Sequence, residues 1–326
     1  MPVTVTFHDS QYPAQITAQV HQGLLTRRLP GKLLYDSPAQ AQRWLTYHQA
    51  YSPSRTEPEL LGLYQQAFRA AVPALPASPL HYMSLGCGGG TKDALFLQQA
   101  LSLCPRVHFT PMDASAALVV ETMLRVQQTF PHLHCAPLVV DLAGEPDLEP
   151  WLAQQETGTS SRVLTCFGML PNFDYQTFLP YLRRLMRPTD LLLLSANLSP
   201  TPYPVSVPRI LPQYDNSWAH AWFTGLLDSL GFAASQVHLT VTATPLQPDG
   251  HLWQIRADAR VLQSFTLTLD GAAFPFAAGE VLQVFFSTRF TPQVMPQLLA
   301  AAGLVVTQSW LLASHEEGIY LCTALA

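Results

Sequence analysis

The sequence predicts an α/β fold, a Rossmann-like parallel sheet covered by helices on both faces and accompanied by a second α+β region. Three observations predict it. Short apolar runs alternate with helix-patterned segments between residues 81 and 195. The first run ends in Leu85-Gly86-Cys87-Gly88-Gly89-Gly90, a glycine-rich turn into a helix. The next two runs end in acidic residues, Asp113 and Asp141.

Two proline clusters bracket the alternation, one over residues 72–79 and the other over 199–204. Proline cannot continue a helix or donate in a central strand, so both read as connectors. Between them, residues 81–85 read as a strand. Residues 91–102 read as a helix with Ala94, Leu95, Leu97, Ala100 and Leu101 apolar. Residues 107–112 form the next strand and 115–129 the next helix, with Ser115 as its N-cap. Strands over 136–140 and 162–167, a helix over 175–186 and an apolar strand over 190–195 complete the alternation. Past the second cluster, 216–230 is helical. Stretches 237–242, 251–259, 264–269 and 281–290 alternate or are rich in aromatics, separated by Pro248-Asp249-Gly250 and Asp270-Gly271. These read as antiparallel strands. A helix over 292–302 and strands over 305–311 and 319–325 would return to complete the first sheet. The expected division is 60–198 with 288–326 as one domain, and 1–59 with 199–287 as the other.

Composition narrows the function. At 326 residues the chain suits two domains, and 48% apolar content supplies a sizeable core. A net charge of -5 with no Lys/Arg run excludes a nucleic-acid footprint and a basic membrane-binding face. Five widely spaced cysteines without C-x-x-C suggest neither a disulfide framework nor a zinc site, so free thiols in a reducing cytosol are expected. The first ten residues lack signal-peptide character, and the apolar stretch at 191–194 is far too short to span a bilayer. A soluble, cytoplasmic monomer acting on a small molecule is expected. His132 and His134 suggest a solvated loop rather than ligands, and His315 with Glu316 and Glu317 a surface turn.

The glycine loop, Asp113 and Asp141 stand at the ends of successive strands. Glycines let a backbone approach a ligand closely, and the helix starting near Thr91 is expected to point free N–H groups at it. Asp113 is placed to accept two ribose hydroxyls. Asp141 is placed to accept an adenine amino group, with Leu142 packing on the ring. Each signal alone fits a plain turn or a helix cap; the ordered set points to a nucleoside-bearing cofactor. The loop lacks the full G-x-G-x-x-G of a dinucleotide site and the G-K-[ST] ending of a P-loop.

Short motifs in one order along nearly the whole chain resemble those of the histidine-specific S-adenosylmethionine (SAM) methyltransferases, the Nα-trimethylating enzymes of the ergothioneine pathway. Lys32-Leu33-Leu34-Tyr35-Asp36 and Tyr51-Ser52-Pro53-Ser54-Arg55-Thr56-Glu57 are similar to W-F-Y-D and Y-Y-P-T-R-T-E. The glycine loop with Thr91-Lys92 is similar to L-G-S-G-T-x-x-K-T, and 111–115 to P-x-D-V-S. Phe167-Gly168-Met169-Leu170-Pro171-Asn172-Phe173 resembles a shortened F-L-G-S-x-I-G-N-F. Gln213-Tyr214-Asp215-Asn216 resembles A-Y-[ND]-D, and 276–290 resembles F-x-x-G-E … E-x-S-x-K-[FY]. The resemblance implies a class I methyltransferase sheet, SAM as cofactor and an α-amino acid at the seam of the two domains. It implies that Gly86, Gly88, Lys92, Asp113, Asp141, Leu142 and Gly168 contact the cofactor. Asn172 and Tyr214 would hold the substrate's amino and carboxylate groups, and Tyr35, near the amine, would relay its proton directly or through water.

The side-chain pocket departs from the family pattern. The glutamate that would pair with imidazole is Phe285, while Ser287 is retained. The strand that supplies a methionine reads Trp253-Gln254-Ile255-Arg256, and the second tyrosine of Y-Y-P-T-R is Ser52. An imidazole buried without its partner costs about 1–3 kcal/mol. An aromatic or apolar side chain against Phe285 and Ile255 is therefore expected in place of histidine. Phe285 as plain core, Trp253 as plain packing, another secondary-metabolite acceptor and a catalytically silent binding protein remain open readings.

Overall fold

A computed structural model describes residues 3–51, 58–74, 79–155 and 160–325. In chain order the first strands are β1 (Thr6–Phe7), β2 (Leu80–Leu85), β3 (Val107–Asp113), β4 (His134–Cys135), β5 (Leu138–Val139), β6 (Ser161–Phe167) and β7 (Leu191–Asn197). Then follow β8 (Val237–Pro245), β9 (Leu252–Val261), β10 (Phe265–Leu269), β11 (Ala272–Phe276), β12 (Val281–Phe290), β13 (Leu304–Leu311) and β14 (Glu317–Ala324).

The main sheet has the order β1-β5-β3-β2-β6-β7-β14-β13, with β4 also beside β3. Strands β5, β3, β2, β6 and β7 are parallel, and the β13–β14 hairpin adds antiparallel to β7. This is the sheet expected from the alternation, including the returning C-terminal hairpin. β2 is buried at every position, as a strand covered on both faces must be. Its side chains alternate between two cores. Met83 and Leu85 pack with Leu164, Leu192 and Phe178, while Tyr82 packs with Tyr64, Phe68 and Phe96. Strand order reverses at β2, and such a switch point opens a crevice at the carboxyl ends of the strands.

A three-stranded antiparallel sheet, β12-β9-β8, and the hairpin β10–β11 make up the second region. Its core joins Trp222, Phe223 and Leu226 of the helix Ser217–Ser229 to Phe274, Phe285, Leu24 and Leu34. Isolated bridges Arg28–Gln283 and Leu198–Phe290 tie β12 to the N-terminal segment and to the end of β7. Residues 287 and 288, where the chain was expected to divide, both lie within β12.

The predicted cap is present, Ser115 accepting from Leu118 N, and the structure adds Asn216, which accepts from Trp218 N and Ala219 N at the start of the helix Ser217–Ser229. The structure adds N-terminal helices over Pro13–Thr26, Pro38–Tyr51 and Pro58–Ala71. Where a strand was expected over 136–140 there are two short pieces, His134–Cys135 before Pro137 and Leu138–Val139 after it, and Pro137 supplies no N–H to the ladder. His134, expected in a solvated loop, lies in the first piece, its ring 4.5 Å edge-on from His108. Among the described residues no helix is long and apolar enough to cross a membrane.

Candidate functional site

A cavity of about 310 Å³ lies at the carboxyl ends of the parallel strands and reaches β12 and the N-terminal helices. Gly86, Gly88, Lys92, Asp113, Asp141, Leu142, Gly168, Tyr35, Asn172, Tyr214 and Phe285 all line it. Three expected residues do not join them. Ser52 lies outside the described residues. Ile255 and Ser287 are buried at 0% and 1% exposure and lie opposite each other across β9 and β12. They sit farther along the strands, where Ile210 packs against Ile255 and Trp253. The short helix Val207–Ile210 thus covers that stretch and keeps Ile255 out of the pocket. Trp253 is packing.

The glycine loop is locked from within. Gly86 N and Cys87 N donate to Met112 O at 2.8 and 2.9 Å, Gly90 N to Cys87 O at 3.0 Å, and Gly88 N to Asp113 Oδ2 at 3.1 Å. These four loop amides are spent on the fold. Gly86 has φ +74°, and a Cβ there would stand 1.8 Å from Met169 Sδ. Its glycine is required by packing against the loop that follows β6. Gly168 is different. With φ +73°, it has no heavy atom within 4 Å of a Cβ position, so its bare backbone faces open cavity.

Asp113 ends β3 with both oxygens engaged, Oδ2 by Gly88 N and Oδ1 by Ser115 N at 2.9 Å. Burial pushes its carboxyl up to about 6, against the lowering effect of these amides. A carboxylate has about four acceptor positions, so each oxygen keeps one for a hydroxyl. Asp141 accepts from Ala143 N at 3.0 Å and from Gln19 Nε2 at 3.3 Å. It also pairs with Lys32 Nζ at 3.3 Å, the two side chains being 7% and 3% exposed. An N-terminal cation therefore neutralises this second carboxylate, a contact between remote segments that no local spacing announces.

Lys92 opens a network that the sequence reading did not include. Its Nζ donates to Tyr64 Oη at 2.7 Å and lies 4.2 Å from that ring's centroid. Tyr64 Oη donates to Glu317 Oε1 at 2.5 Å and meets Ser195 Oγ at 2.7 Å. Burial, then the Glu317 charge, raises the Tyr64 phenol well above its ordinary value, keeping it a neutral donor. Tyr64, Lys92 and Glu317 all line the cavity. Glu317, expected in a surface turn, instead begins β14 at 3% exposure.

The other end of the cavity is aromatic. Tyr35 meets Trp44 and Trp222 edge-on at 5.6 and 5.4 Å. Tyr47 stacks on Trp222 at 5.6 Å and Tyr214 on Phe285 at 5.7 Å. Phe285 belongs both to the core and to the cavity wall. Behind Tyr214, Arg289 Nη2 donates to its hydroxyl at 2.6 Å. The Tyr35 phenol is pushed up by burial and by neighbouring Tyr214 and Asp113. It therefore stays protonated at neutral pH.

A family model described as histidine-specific, SAM-dependent methyltransferase matches residues 16–221. None of the curated proteins matches the sequence. Among solved structures, the chain is similar to the 1,6-didemethyltoxoflavin-N1-methyltransferase of Burkholderia thailandensis, crystallised with S-adenosylhomocysteine (SAH). Identity is 12%, coverage 91% of this chain and 92% of that one, and the TM-score 0.43. It is also similar to the magnesium protoporphyrin IX methyltransferase of Synechocystis PCC 6803, at 13% identity, coverage of 90% and 97%, and a TM-score of 0.43.

Proposed function

The chain belongs to the histidine-specific, SAM-dependent methyltransferase family, and on that premise we propose that it methylates the α-amino nitrogen of an amino acid or amino-acid-like small molecule. The preferred side chain in this reading is aromatic or apolar, with histidine disfavoured.

The residues present fit the cofactor. Gly168 leaves bare backbone toward the cavity, Asp113 and Asp141 bring carboxylates to the strand ends, and Lys92 brings a cation. When bound, SAM supplies a methyl group made electrophilic by its cationic sulfur. The chain's own work is then alignment and exclusion of water. Asn172 and Tyr214 hold the acceptor's amino and carboxylate groups, and Arg289 fixes the Tyr214 hydroxyl from behind. Tyr35 orients the amine with a neutral phenol. The aromatic wall around it disfavours an ammonium ion over the neutral nucleophile by desolvation.

The observation that carries the side-chain preference is Phe285. Among the described lining residues, the carboxylates Asp93, Asp113, Asp141 and Glu317 belong to the segments around the parallel strand ends, and none stands beside Phe285 on β12. An imidazole there finds a ring in place of an acceptor. The same proposal keeps 60–198 with 288–326 for the cofactor and 1–59 with 199–287 for the acceptor. It also places the protein in the cytoplasm as a monomer, and the free thiols of Cys87, Cys104, Cys135, Cys166 and Cys322 support a reducing compartment.

A substrate panel read by mass spectrometry tests this. Tryptophan, tyrosine or phenylalanine should exceed histidine in kcat/KM by about tenfold or more. A higher kcat/KM for histidine would overturn the preference. No turnover of any amino acid with intact SAH binding would move the activity to another acceptor, and absent SAH binding would leave a silent relative.

A further inference from the structure

We propose that Glu317 accepts the α-ammonium of the cofactor's methionine head while Lys92, 4.0 Å away, takes the α-carboxylate of the same head. The assignment rests on reading the cavity as the SAM site, and it adds a binding residue from the C-terminal hairpin, beyond the matched segment 16–221.

The head is a zwitterion, with one charge of each sign on a single carbon. A site that meets only one charge leaves the other desolvated without a partner, which is costly. The glycine loop is poorly supplied for this task, because Gly86 N, Cys87 N, Gly88 N and Gly90 N are already donating within the fold. Charged side chains must take over. Lys92 and Glu317 line the cavity together and are held at the long limit of an ion pair. One zwitterion between them would meet a charge of opposite sign at each end.

The other lining carboxylates are held by other parts of the fold. Asp113 accepts from Gly88 N and Ser115 N, and Asp93 from the Tyr82 hydroxyl at 2.7 Å. Asp141 is paired with Lys32. Glu317 differs in how it is held. The Tyr64 hydroxyl donates to Oε1 and itself accepts from Lys92. One neutral phenol therefore positions both charges, and the carboxylate keeps acceptor capacity for an ammonium. Strand pairing sets its place: Glu317 lies opposite Asn197, which also lines the cavity at the end of β7.

The test is a calorimetric cycle with two ligands, SAH and its deaminated analogue, in which the head keeps the carboxylate but lacks the amine. Wild-type protein should bind SAH about ten- to hundredfold more tightly, the range of a charge-assisted hydrogen bond. In Glu317→Gln that advantage should collapse to within about threefold by loss of SAH affinity, with the analogue unchanged. Glu317→Asp should restore part of it. Equal weakening of both ligands would mark Glu317 as merely structural and overturn the assignment. So would equal wild-type affinities for the two ligands, a result that needs no variant to fold. Wild-type protein that binds neither ligand would overturn the cofactor reading itself, and the assignment with it.

Discussion

At the charged end of the cavity stand Lys32, Lys92, Asp93, Asp113, Asp141 and Glu317; at the aromatic end stand the rings of Tyr35, Trp44, Tyr47, Tyr214, Trp222 and Phe285. The first set is fixed by hydrogen bonds of defined direction, such as Gly88 N to Asp113 and Tyr64 to Glu317. The second is fixed by ring packing, with centroids 5.4–5.6 Å apart along the contacts from Trp44 through Tyr35 to Trp222. Directional polar contacts tolerate almost no exchange, because each lost partner leaves a buried group unpaired. Packed rings tolerate replacement by groups of similar volume. A shared cofactor and a divergent acceptor are what such a cavity would support.

The largest effect expected on this contrast is at Asp113. Asp113→Ala should weaken SAH binding by about a hundredfold or more in calorimetry, since it removes a charged acceptor and unpairs Gly88 N and Ser115 N. Unchanged affinity would break the assignment of the charged end. Next is Gly86→Ala. A methyl 1.8 Å from Met169 Sδ at φ +74° should lower stability by about 2–4 kcal/mol in denaturant unfolding. Adding Met169→Ala should recover part of that, and no recovery would place the strain in the backbone alone.

At the aromatic end, Phe285→Glu should raise kcat/KM for histidine about tenfold and lower it for tryptophan, by giving imidazole an acceptor. An unchanged ratio would mean that Phe285 is core and not specificity wall. The smallest effect is on pH. Burial raises the Asp113 carboxyl to about 6, so its ionised form costs the ligand-free fold stability at neutral pH. That cost is relieved as pH falls through about 6. SAH affinity should move the opposite way, falling several-fold below that pH as the acceptor is lost. In Asp113→Asn the dependence should flatten.

Much of the main sheet was legible in the sequence. Buried parallel strands require continuous apolar runs, and their turns need glycine, proline or a capping side chain, as at Gly86 and Ser115. The N-terminal helices were less so, because Pro38–Tyr51 is rich in glutamine and draws its place from packing on Trp222 and Tyr35 rather than from a strong apolar stripe. Ile255 and Ser287 were expected in the pocket because the motifs that carry them resemble those of the family's side-chain pocket. The cover laid down by Ile210 comes from a segment more than forty residues away in sequence.

The sequence by itself determined the alternation, the strand ends that carry Gly86, Asp113 and Asp141, and the exchange at Phe285. Those are local properties: period, turn chemistry and residue identity. Only the tertiary structure decided that the loop amides are spent on Met112 and Asp113, that Lys32 reaches Asp141, and that Glu317 comes to Lys92 through Tyr64. These contacts join residues 25–253 positions apart. The partner of a buried charge is set by how the sheet is ordered and closed, and no short stretch of sequence contains that information.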